Sequence, residues 1–109
     1  MAEPTLIEVF GANATQTATT ITISKADLPR LTASASNTAE SLLVGILLQA
    51  QAALTRTTFD TNLDQSIYIE GGFPGFVFRG TNNDPYRSTP FTINLNKLDT
   101  STTIDPDDY

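Results

Sequence analysis

The sequence predicts an α+β fold: one central buried helix packed on an antiparallel sheet of about four strands, followed by an extended C-terminal tail. Three observations predict it. An apolar run from Leu42 to Leu54 recurs at helical spacing. Short stretches between Ser66 and Leu95 alternate at the period of a strand. The end of the chain, from Asp99 to Tyr109, holds almost nothing that a core would retain.

Taken in order, Leu6-Ile7-Glu8-Val9-Phe10 fits either a short strand or one helical turn, closed by Gly11-Ala12-Asn13. The segment Thr17 to Ser24 alternates through Ile21 and Ile23, which places both isoleucines on one face and threonines on the other, as in a half-buried strand. Lys25 to Ser36 reads as a loop, since Pro29 blocks a helix there. Asn37 with Glu40 three residues later resembles a capping box and predicts the helix start. Leu43, Ile46, Leu47, Ala50 and Leu54 then form one stripe, which Leu42, Val44 and Leu48 widen beyond a single face. A helix this apolar is buried, by a sheet on one side and by loops or another subunit on the other. Gly45 within it implies a close approach by a strand or by a second copy of the chain.

Ser66–Glu70, Gly75–Arg79 and Pro90–Leu95 read as three further strands. Gly71-Gly72-Phe73-Pro74 and the segment Gly80–Tyr86 would join them as a meander of hairpins. Phe76 and Phe78 share one face, which predicts core positions. Residues 1–98 are therefore expected to form a single α+β domain, and 99–109 an extended acidic tail with four aspartates and no base.

The chemistry-bearing side chains are sparse. With no Cys and no His, disulfides, thiolate nucleophiles and the usual zinc sites are excluded, and the common neutral-pH acid/base is missing. Asp60-Thr61-Asn62-Leu63-Asp64 copies the first ligand positions of a calcium loop, but Gln65 and Gly71 replace the Gly and Glu that such a loop needs. Glu70 has no partner carboxylate at a definable spacing, so a glycosidase pair is not expected. Gly71–Gly75 lacks the Gly-Lys-Ser/Thr ending of a phosphate loop. The expectation is no enzyme, no catalytic residue, no cofactor and no metal.

The net charge of −6, with six scattered basic residues, argues against nucleic-acid and anionic-membrane partners. Met1-Ala2-Glu3-Pro4 has no basic start and no apolar run follows, and the longest uncharged stretch, Ser41 to Thr55, is short of a membrane span. This predicts a soluble protein made in a cytoplasm. Charged residues are only 17%, replaced by Thr, Ser and Asn, a weakly repulsive surface suited to contact with other proteins. Phe73, Tyr86 and Tyr109, in loops or at the chain end, and Ile104 in the tail are the candidate interface anchors.

Three stretches carry a resemblance: Phe10–Gln16 leading into Ile21–Leu28, the helix start Asn37–Leu43, and Leu98–Ser101 with Ile104–Tyr109. Together they are similar to small proteins of cyanobacteria and their tailed phages, among them virion structural proteins. The resemblance implies a homo-oligomeric virion protein, above all a capsid cement or decoration subunit whose partners are other virion proteins, the major capsid protein first. A tail or neck component is the nearer alternative. A non-viral module binding a small ligand or peptide through the Gly-rich loop and Phe73 is the more distant one.

Overall fold

The computed structural model describes residues 2–98 and 104–109. The chain is α+β, with one long helix and antiparallel strands. In order it forms α1 (Leu6–Phe10), β1 (Thr15–Gln16), β2 (Ile21–Thr22), a 3₁₀ turn (Lys25–Asp27), α2 (Ala39–Ala53) and α3 (Arg56–Thr61). Then come β3 (Ile67–Gly71), β4 (Gly75–Arg79), β5 (Asp84–Ser88) and β6 (Phe91–Leu95), with a last 3₁₀ turn at Pro106–Asp108. The expected tail begins within residues 99–103, which lie outside the described residues.

The ambiguous first segment is a helix because Thr5 and Glu8 form a reciprocal capping box. Gly11 ends it at φ 116°, a conformation that side chains avoid. A Cβ on Gly11 would also fall 2.7 Å from the Cβ of Asp27. Asp27 in turn holds the next turn in place, accepting from the Asn13 backbone N–H at 2.8 Å and from Asn13 Nδ2 at 3.0 Å. Gly11→Ala is therefore expected to lower stability by about 2 kcal/mol through backbone strain, with the clash adding to it. A urea unfolding curve measures the loss, and an unchanged midpoint would contradict this account.

Helix α2 starts one residue later than the sequence suggests. Thr38 is the cap, its hydroxyl accepting from Ser41 N at 3.1 Å. Asn37 instead closes the preceding loop, accepting from Ser34 N and donating to the Thr32 carbonyl. The helix breaks at Leu54, and Thr55 caps α3 in a new direction. Within the stretch Ala39–Thr61 an 18-residue window reaches a mean hydropathy of 1.2. The continuous part, α2, is about 22 Å long at 1.5 Å per residue, shorter than the ~30 Å hydrocarbon core of a bilayer.

α2 is central but only half covered. Gly45 and Ala50 are buried, Leu42, Ile46, Leu47 and Leu48 are half-buried, and Leu43 and Val44 are exposed. One flank meets α1, where Gln49 Nε2 donates to the Glu8 carbonyl at 3.1 Å. The close approach at Gly45 is made by Leu28 of the loop rather than by a strand or a second copy, with Leu28 Cβ and Cδ1 3.2 Å from where a Cβ would stand.

The core is Ala50, Leu54 and Ile69, with Val9, Ala53, Ile67 and Phe91 packed around it. Ile69 N donates to the Leu54 carbonyl at 2.9 Å, which ties β3 to the corner between α2 and α3. Across that corner Gln65 Nε2 bridges the carbonyls of Thr55 and Ile67.

The strands are apportioned among three two-stranded antiparallel sheets, β1–β2, β3–β6 and β4–β5. The alternating Thr-rich segment forms only the short β1–β2 pair, because Thr17 and Thr20 turn the chain between them through their hydroxyls and backbone. The expected meander is corrected. β3 pairs with β6, Ile67 opposite Leu95 through Gly71 opposite Phe91. β4 pairs with β5, Gly75 opposite Ser88 through Arg79 opposite Asp84. Gly71–Pro74 is thus not a turn. It is one side of a long ribbon, with Gly72-Phe73-Pro74 facing only Thr89-Pro90, so the register slips by one residue as at a bulge. Gly72 N still donates to the Pro90 carbonyl at 2.8 Å, which keeps the two halves of the ribbon continuous.

Candidate functional site

The bulge divides the ribbon into a half that belongs to the core and a half that does not. Every residue from Glu70 to Pro90 is exposed. β4 and β5 touch chiefly each other. The chain reverses at Gly80–Asn83, where Gly80 at φ 83° and Asn83 at φ 50° supply the left-handed positions that a tight loop needs. The hairpin is an arm about 25 Å long, at ~3.4 Å per residue.

Its composition is at odds with its exposure. Cross-strand pairing puts Phe76, Phe78, Pro85 and Arg87 on one face, and Val77, Tyr86, Arg79 and Asp84 on the other. Apolar groups therefore occupy both faces, the pattern of strands covered on both sides. The expectation that Phe76 and Phe78 are core residues is corrected: they are 64% and 68% exposed. Period-two spacing places them on one face, as foreseen, but among the described residues nothing covers that face. Arginines partly shield the rings, Arg87 over Phe76 at 5.5 Å and Arg79 over Tyr86 at 5.2 Å.

Of the predicted anchors, Phe73 stands at the bulge and is 97% exposed, and Tyr86 lies on the arm. Ile104 and Tyr109 belong to the separate terminal segment. Ile104 is exposed, and Tyr109 is half-buried behind the last 3₁₀ turn. The sequence reading placed Tyr86 in a loop because Asp84-Pro85 resembles turn chemistry. In fact both lie in β5, a strand with a free edge, where proline is tolerated.

The body carries a second feature that the sequence did not disclose. An open cavity of about 650 Å³ is lined by Phe59, Asp60, Leu63, Gln65, Asn96 and Leu98 among others. Leu63 and Leu98 on it are 96% and 86% exposed. Gln65 is 3% exposed, and its Oε1 has no hydrogen-bond partner although it is buried. Beside the cavity, Arg56 Nε donates to Asp60 Oδ1 at 3.1 Å and the guanidinium lies 4.9 Å over the Tyr68 ring. The hydrogen bond to Asp60 raises the Arg56 pKa above its ordinary value, so this cation stays charged. Among the described residues no three of His, Cys, Asp and Glu are grouped as metal ligands would be.

The chain is less compact than its length requires. The radius of gyration is 16.6 Å, against about 13 Å for a compact domain of this length. The accessible surface is 8216 Å², whereas a compact monomer of 11.7 kDa exposes about 5,900 Å². The surplus of about 2,300 Å² is of the size that permanent protein–protein interfaces bury. No protein-family model, no curated protein and no solved structure matches this chain.

Proposed function

We propose that this chain is a structural subunit of a tailed-phage virion, a capsid cement or decoration protein that works through protein–protein contacts and performs no catalysis. The observation that carries the assembly role is the arm, a hairpin with apolar side chains on both faces and no cover from its own body. An isolated two-stranded hairpin is marginal in water. An arm of this composition is stabilised when a partner surface covers it, as the core of an interface is covered. The half-covered α2 and the surplus surface agree with the same role. The virion context rests on the sequence resemblance.

The test is the protein profile of purified particles, followed by adding the purified full chain to particles that lack it. The expected result is the chain in a copy number that matches a symmetry class of the shell, and co-sedimentation of added chain with the depleted particles. Absence from the particle together with failure to co-sediment would remove this reading.

A further inference from the structure

We infer that the arm of one copy docks into the cavity of a second copy, so that the chain associates with itself head to tail through the contact of β4–β5 with the surface around Leu63 and Leu98. The inference deepens the assembly reading and rests on it.

Three observations select this partner. The first is charge. The arm, residues 72–90, holds Arg79 and Arg87 against Asp84, a net +1 in a chain whose total is −6, which leaves −7 on everything else. Copies of the chain repel one another except through the arm, and the arm is drawn to the body of another copy. At the cavity itself Asp60, paired with Arg56, and Lys97 balance one another, so the attraction comes from the negative charge of the body as a whole.

The second is apolar matching. Leu63 and Leu98 are the most exposed large apolar side chains of residues 2–98 outside the arm and its bulge. They stand beside Phe59 on an open concavity of about 650 Å³, which suits the Phe76 and Phe78 rings of an incoming hairpin.

The third is geometry. The arm points away from its own body, with every residue from Glu70 to Pro90 exposed, so its receptor lies on another molecule. Arm and cavity are different patches of one chain, which makes the contact heterologous. Such a contact repeats into a ring or an open array, as the subunits of a symmetric shell require.

Sedimentation velocity and native mass spectrometry of the full chain, from micromolar to millimolar concentration, test the contact with two variants. One is Phe76→Ser with Phe78→Ser, which spoils the arm and leaves the cavity. The other is Leu63→Ser with Leu98→Ser, which spoils the cavity and leaves the arm. The substituted side chains are exposed, and circular dichroism confirms that each variant is folded.

The wild type is expected to self-associate, less so as salt rises. Each variant alone should bind itself about a hundredfold more weakly, as loss of interface anchors does. Mixing the two leaves one good arm and one good cavity, so a 1:1 pair and nothing larger should form. A wild type that stays monomeric, or a mixture that does not pair, would overturn the arm-to-cavity contact. If such a monomer still co-sediments with particles, the virion-subunit reading survives and only the self-contact is lost.

Discussion

Phe76→Ser with Phe78→Ser is expected to leave the stability of the isolated chain within about 0.5 kcal/mol of wild type, the ordinary effect of surface substitutions. The same double variant should weaken co-sedimentation with particles by about a hundredfold, the effect of losing interface anchors. The two readouts separate core from interface. Truncating a buried phenylalanine costs about 3–5 kcal/mol, so two core phenylalanines would consume most of the stability of a small domain. Here both rings are mainly exposed, and neither is among the residues packed around Ala50, Leu54 and Ile69. Urea unfolding supplies one number and sedimentation against particles the other. A large loss of stability would mean that the arm folds back on its body. Unchanged binding would mean that the arm is not the contact.

The reason these two phenylalanines read as core is general. Period-two spacing of large apolar residues records that a strand face must be covered, and it is silent on which chain covers it. Three strands were legible to within a residue, Ser66–Glu70, Gly75–Arg79 and Pro90–Leu95 against Ile67–Gly71, Gly75–Arg79 and Phe91–Leu95, whereas β5 was read as a loop. Their pairing was not. Gly71-Gly72-Phe73-Pro74 has the composition of a turn, and only the long-range match of β3 to β6 makes it a bulge within a ribbon.

Helix α2 was legible because eight apolar residues repeat on it, while its first residue was misplaced by one. Asn37 and Thr38 are both good caps, and local sequence does not choose between them. α1 had its signal in plain view, Thr5 three residues before Glu8. The cavity had none. It lies where the end of α3, the turn at Leu63 and the chain after β6 converge, a junction that exists only once the fold is made.

Leu54→Ala is the opposite experiment, and it is expected to unfold the isolated chain or bring it close to unfolding. Among the described residues the buried apolar side chains larger than alanine are Leu28, Leu54 and Ile69, and none of the large ones is completely enclosed. Leu54 caps the end of α2 and packs with Ile69 of β3, so its side chain joins the long helix to the β3–β6 pair. Its carbonyl keeps the bond to Ile69 N in the variant, so the loss is one of packing. Such truncations cost about 2–5 kcal/mol, and with a urea m-value near 1–1.5 kcal/mol/M the midpoint should fall by about 2 M or more. Binding partners that recognise only the folded state add stability by mass action. The variant should therefore regain its fold on particles, with its apparent affinity reduced by the fraction that is folded when free. Leu54→Ala weakens association through folding, whereas the double serine variant weakens it at an unaltered fold. Circular dichroism of the free chain and co-sedimentation of the same sample decide between the two. A Leu54→Ala chain as stable as wild type would show that the body is held together by something other than its small core.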